Sequence, residues 1–232
     1  MFNDIPGQVY RTLVVDSRWM IIVEGLLVTL MVAGIAIVLG VVIGALVAIA
    51  KVNVHYTGRK KWLGVLCEIY TTVVRGTPVV VQLLIMYFIV FAAAPKEMAA
   101  YVGALAFGVN SGAYVSEVIR AGIMSIDRGQ MEAGRSLGLS QKMTMRSIIL
   151  PQAFKNVLPA LGNEFIVLIK ETSVLGFIAV TDLTMASQLI RSRSFDVLVP
   201  LLLIALIYLG IVMLFTWALK KLERKLAESD AR

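Results

Sequence analysis

From Gly25 to Ala50 the chain carries no charged residue at all. At 1.5 Å per residue such a run reaches roughly 39 Å as a helix, enough to cross a hydrocarbon core of about 30 Å with some tilt. Within it, Gly34, Gly40 and Gly44 suit close packing in lipid, and Gly40 and Gly44 form a small-xxx-small pair. The rest of the chain agrees with a membrane environment. It is 59% hydrophobic with a mean hydropathy of +0.84, above the 45–50% apolar content usual in soluble domains. No cleavable signal peptide is expected, because the first apolar run is much longer than a signal core and a mixed-charge segment precedes it.

Four further apolar spans follow. The second, from about Trp62 to Ala94, is interrupted by Arg75-Gly76-Thr77-Pro78. A kink is expected there, since proline removes a backbone donor and clashes with the preceding turn. The third covers roughly Met98 to Val118. The fourth, about Ala153 to Thr181, is unusual in holding Glu164, Lys170 and Glu171. The last is Val197 to Leu219. Between the third and fourth lies a polar, helix-prone loop, and between the fourth and fifth a polar connector, Asp182 to Asp196. The chain therefore divides into an N-terminal lead (1–18), a membrane domain (19–222) with a loop at about 121–152, and a C-terminal tail (223–232).

Lysine and arginine set the orientation of such spans. One side collects Lys51, Arg59, Lys60, Lys61, Arg120, Arg128, Arg135, Lys142, Arg146, Lys155, Lys220, Lys221, Arg224, Lys225 and Arg232. The other holds only Arg11, Arg18, Lys96, Arg191 and Arg193. The N-terminus is expected outside, and the 121–152 loop and C-terminus in the cytoplasm. The net charge of +7 is accounted for by this bias, and no nucleic-acid partner is implied. With an odd number of spans, no inverted repeat is expected.

The chain offers no catalytic constellation. A single cysteine (Cys67) excludes an internal disulfide framework, and a single histidine (His55) excludes a two-histidine metal site. No Gly-Lys dipeptide occurs, so the chain has no nucleotide-cradling loop of the Walker type. What remains is the loop. In the stretch Met131-Glu132-Ala133-Gly134-Arg135-Ser136-Leu137-Gly138-Leu139, small residues alternate with apolar ones. A short helix of that make-up can serve as a narrow knob for a partner's groove, or simply as a solvated connector. Glu132 and Arg135, three apart, can brace one face.

The charges of the fourth span are the second signal. A carboxylate at membrane depth costs about 2.5–3.5 kcal/mol on insertion scales, so it lines a cavity or pairs with a cation. Glu164 and Glu171 are seven apart, two helical turns with an offset of about 20°, and share a face. Both readings stay open for them: a cavity suited to a cationic group, or structural ion pairs. Lys170 falls on another face, where an acid of a neighbouring helix could meet it. Glu68 and Arg75 have the same spacing and could pair along their helix.

The loop resembles a known one. Glu132-Ala133-Gly134, then Gly138, then Ile148-Ile149-Leu150-Pro151 looks like the EAA loop of ABC importer permeases: Glu-Ala-Ala, three residues, Gly, nine residues, Ile, any residue, Leu-Pro. The chain departs at Gly134, where the pattern has alanine, and glycine there should loosen the helix slightly. Over about residues 20–220 the chain resembles the permeases of polar amino-acid uptake. Arg75-Gly76-Thr77-Pro78, Gln82-Leu83, Ala113-Tyr114-x-x-Glu117-x-x-Arg120, Asn163 and Lys170-Glu171-Thr172-Ser173 stand in the family's order.

The resemblance implies an all-α membrane protein of about five transmembrane helices with the type I ABC importer permease (MetI-like) fold, in the inner membrane of a bacterium. It implies a second permease copy or a sister permease, two ATPase subunits that hold ATP and Mg, and an extracytoplasmic amino-acid-binding protein. No cofactor is implied on this chain, and it is not itself an enzyme. The coupling residues would be Glu132, Ala133, Gly134, Arg135, Ser136, Leu137 and Gly138. The substrate pathway would include Glu164, Glu171, Thr77, Gln82, Ser111 and Tyr114, although Thr77, Gln82, Ser111 and Tyr114 could equally be structural. An acid at Glu164 favours basic amino acids. The alternatives are glutamine, glutamate, cystine or another small solute, a secondary transporter subunit, and a membrane scaffold without transport.

Overall fold

The computed structural model describes the backbone of residues 4–230 and the side chains of residues 4–226, so Arg232 of the C-terminal tail lies outside the described residues. The described chain is helical, and no strand occurs among the described residues. The helices are α1 (Ile5–Leu13), α2 (Trp19–Thr57), α3 (Lys61–Arg75), α4 (Val79–Ile85), α5 (Ala99–Met124), α6 (Arg128–Ser136), α7 (Gln141–Thr144), α8 (Leu150–Glu171), α9 (Leu183–Ser194) and α10 (Leu198–Asp230).

Among the described residues, three helical stretches are long and apolar enough to cross a membrane: Val15–Thr57, Lys96–Met124 and Leu198–Leu226. The pair Lys61–Arg75 and Val79–Val90 qualifies jointly and is bent by 105°. The expected interruption at Gly76-Thr77-Pro78 is therefore a complete break. Pro78 is extended (φ −64°, ψ 134°) and starts a new helix, as a residue without a backbone donor can at a helix N-terminus. The fourth expected span, about Ala153 to Thr181, corresponds to α8 and the 3-10 turn Thr172–Ile178. Its charges keep it out of the apolar class.

The chain forms two compact units. The first comprises Met1–Ile37, Pro78–Phe107 and Phe165–Trp217. Its core joins Val32, Ala33 and Ala36 of α2 to Leu83 of α4, Phe107 of α5, Leu168 and Ile169 of α8, and Leu175 and Ile178. Alanines recur because helices in lipid gain little from apolar burial and associate through close packing. The carboxylate of buried Asp182 caps α9, accepting from the amides of Thr184 and Met185 at 3.0 Å each. The amide of Leu183 donates to Thr29 Oγ1 at 3.1 Å. The N-terminal lead is a short amphipathic helix capped by Asp4. Arg11 ties it to Asp196 at 2.7 Å and holds that carboxyl below the usual carboxylate range.

The second unit comprises Val38–Thr77, Gly108–Glu164 and Ala218–Arg232. Here the expected small-xxx-small contact is made. A Cβ on Gly40 would stand 2.8 Å from Ser111 Oγ, and one on Gly44 would stand 2.5 Å from Val115 Cγ1. Gly112 answers from α5 with Ile43 Cγ2 at 2.8 Å from its own Cβ position. α2 and α5 thus meet through glycines on both sides. A second cluster, Val52, Ile123, Met131, Ile149 and Ala153, holds the ends of α2 and α5 against the loop helices.

One local feature escapes sequence periodicity. Met145–Ile149 forms a widened helical turn in which the Leu150 amide bonds to the carbonyl of Met145. Pro151 follows immediately and cannot donate to the carbonyl of Ser147. A wider turn relieves the crowding that proline imposes on the turn before it.

Candidate functional site

The loop expected to couple to a partner folds as the helix α6. Asp127 starts it, its carboxylate accepting from the Gly129 amide at 2.6 Å. Two residues seat it. Met131 is buried in the cluster of Ile123, Ile149 and Ala153. Gly134 is buried against Thr144, where a Cβ would lie 2.5 Å from Thr144 Cγ2 and 2.8 Å from Oγ1. Gly134 is therefore more than a weak helix former in alanine's place: it lets α6 close on α7. The opposite face is free. Glu132, Ala133, Arg135 and Ser136 are exposed, and Leu137 is 80% exposed.

Gly138 ends the helix at φ +82°, in the left-handed region that glycine enters without strain. The Gly138 amide donates to the Arg135 carbonyl at 3.0 Å and the Leu139 amide to the Gly134 carbonyl at 3.1 Å. This paired closure satisfies the last carbonyls and fixes where Leu137 projects. The Glu132–Arg135 brace is not formed: among the described residues no ion pair joins them. Both are turned outward and available to a partner.

The same unit holds a polar centre that sequence reasoning missed. Lys51, 8% exposed at its side chain, uses its three donors on Glu68 Oε2, Glu117 Oε1 and Thr71 Oγ1, each at 2.8 Å. Arg120 completes Glu117 through its second oxygen, at 2.8 and 2.9 Å. These residues line a cavity of about 440 Å³ together with Thr72 and Arg75. Glu68 thus pairs with Lys51, not with Arg75, whose guanidinium instead lies 5.3 Å from the centre of the Tyr114 ring. The available signal was Lys51 itself, the first charge after the long apolar run, facing two acids embedded in apolar spans. Replacing Lys51 by methionine is expected to cost about 3 kcal/mol, since removing one partner strands a buried charge. Arg120 retains half of Glu117, which keeps the loss at the low end. Thermal unfolding in detergent checks this, with Lys51→Arg expected to lose less than about 1 kcal/mol by keeping the charge.

Among the expected pathway residues, the structure brings Ser111 and Glu164 together. Ser111 Oγ donates to Glu164 Oε1 at 3.1 Å, with Ser111 buried and Glu164 half-buried. Tyr114 stands on the same helix as Ser111, beneath Arg75. Thr77 is exposed and donates to the Val73 carbonyl at 2.9 Å, closing the end of α3. Gln82 and Glu171 are half-buried and belong to the other unit. Lys170 is exposed and makes no ion pair among the described residues, so the acid expected to meet it is not found.

The chain is similar to known proteins over nearly its whole length. The chain is 40% identical over 219 residues to GlnP of Rickettsia bellii, named for a glutamine transport system, with 92% of this chain and 96% of that one covered. It is 36% identical over 214 residues to the arginine transport system permease protein ArtQ of Bacillus subtilis, covering 90% and 94%. The crystal structure of an amino acid ABC transporter with histidines contains a chain that superposes with a TM-score of 0.85 at 38% identity, covering 97% of this chain and all of that one. Residues 36–228 match the family described as binding-protein-dependent transport system inner membrane component. With that match spanning most of the chain and relatives of this identity covered over nearly their whole length, this protein is a member of that family of ABC transport permeases.

Proposed function

We propose that the chain is the membrane-crossing half of an ATP-driven importer of polar amino acids, with cationic amino acids as its preferred substrates. The observation that carries the coupling role is α6: a rigidly terminated helix presenting Glu132, Ala133, Arg135, Ser136 and Leu137 to a partner while Met131 and Gly134 anchor it. The chain has no nucleotide-binding motif of its own. An ATPase subunit, in two copies, would hold ATP and Mg and receive this helix in a groove. A binding protein would deliver substrate from outside, and a second permease, identical or a sister, would complete the passage. The lysine and arginine bias supports an inner-membrane topology with the N-terminus outside and the C-terminus and α6 in the cytoplasm. Closure of the ATPase pair can drive the switch only if the partner binds the two permease states with different affinity.

Substrate preference rests on Glu164. Its carboxylate is half-buried and its one assigned partner, Ser111, is neutral, so a cationic side chain would find an unneutralised charge. Names among the relatives cover both glutamine and arginine, and the two cases separate by experiment. Glu164→Gln is expected to reduce uptake of arginine and lysine by roughly tenfold, the loss of one hydrogen bond to a charged group. Uptake of glutamine is expected to change little. Radiolabelled uptake into vesicles holding the whole transporter measures both; equal losses for all substrates would overturn the cationic preference.

A further inference from the structure

A second cavity, of about 500 Å³, opens where the end of α2 meets the loop helices. Its floor is apolar: Ile49, Val52, Ile123 and Met145. Its rim carries Lys142 and Arg146, both exposed, four residues apart, and without an ion pair among the described residues. No carboxylate lines it among the described residues. The size is that of a pocket for a small organic ligand, yet two unpaired cations over an apolar floor suit an amphiphile with a negative head. The surroundings say which. Val38, Val42, Leu46 and Ile49, all more than half exposed, form a stripe along α2, and Ile49 is itself part of the cavity. The apolar stripe of a membrane-crossing helix therefore runs directly into the pocket, and the cations stand where that stripe ends.

We infer that this cavity binds an anionic phospholipid, its phosphodiester between Lys142 and Arg146 and its acyl chains along the Val38–Ile49 stripe. Basic pockets at the ends of membrane helices hold lipid phosphates in this way. The position has a mechanical consequence. Lys142 lies in α7, against which α6 packs through Gly134 and Thr144. A lipid in the pocket would brace the base of the coupling helix against the membrane surface. The inference requires the chain to span a membrane and is independent of the substrate.

The test is native mass spectrometry of the full-length protein, released from detergent after incubation with phosphatidylglycerol or with phosphatidylcholine. Wild type is expected to retain phosphatidylglycerol preferentially. K142Q/R146Q is expected to retain it roughly thirtyfold less well, from about fivefold per cation. K60Q/K61Q, which removes two exposed lysines outside the cavity, is expected to behave as wild type. A photoreactive phosphatidylglycerol should label peptides containing Ile49 or Met145. Equal loss in both double variants, no preference over phosphatidylcholine, or crosslinking of the cavity to a protein subunit in the assembled transporter would each overturn the inference.

Discussion

Gly44→Leu is expected to remove most of the protein from the folded, detergent-extractable pool. A Cβ at Gly44 meets Val115 Cγ1 at 2.5 Å, Val115 Cβ at 2.7 Å and the Ser116 backbone nitrogen at 2.9 Å. The first two are close to the main chain and the third is part of it, so no flexible side-chain end can give way. Overpacking in a tight core typically costs about 1–3 kcal/mol, and more where backbones must part. Here α2 would have to leave α5, carrying Gly40 away from Ser111 and disturbing the residue that bonds Glu164. In lipid no solvent-driven force presses the helices back together. Gly34→Leu is the control on the same helix, because among the described residues nothing lies within 4 Å of its Cβ position. It is expected to stay within about 0.5 kcal/mol of wild type. Size-exclusion profiles of the extracted variants measure the difference, and equal profiles would contradict the glycine contact.

Much of this architecture was legible because its signals are local. The charge-free run marked α2, and Gly76-Thr77-Pro78 marked the break after α3, since proline acts on its own turn. Gly40 and Gly44 were legible as a pair, although their partners on α5 were not. Long-range pairing was the blind spot. Seven-residue spacing suggested Glu68 with Arg75, but it sees only one helix. Lys51 arrives from another, satisfies Glu68 and Glu117 together, and frees Arg75 for Tyr114. The same limit affected Gly134. Propensity reads it as a loosened alanine, whereas contact with Thr144 makes glycine the residue that fits. At the candidate site, the sequence marked Glu164 as a carboxylate needing a reason, but could not supply Ser111 as its neighbour from 53 positions away.

The largest functional effect is expected at α6, the proposed coupling helix. Its geometry depends on Gly138, and valine at φ +82° would strain the backbone by about 1–3 kcal/mol. The paired bonds to the Arg135 and Gly134 carbonyls would loosen, and Leu137 would lose its fixed direction. Gly138→Val is therefore expected to assemble poorly with its ATPase and to transport at a small fraction of the wild-type rate. A folding defect could produce the same loss, so a variant is needed that leaves the helix intact. Leu137→Asp is that variant: the side chain is 80% exposed, so little of the permease's own packing depends on it. Burying an unpaired carboxylate in a partner's groove would cost several kcal/mol.

The deciding measurement is the number of substrate molecules imported per ATP hydrolysed by the complete transporter in vesicles carrying Leu137→Asp. The expected result is a protein as stable as wild type in detergent whose import falls at least tenfold while any remaining ATP hydrolysis no longer responds to the loaded binding protein. Unchanged import per ATP would show that α6 is only a solvated connector, and would contradict its role as the point where the ATPase takes hold.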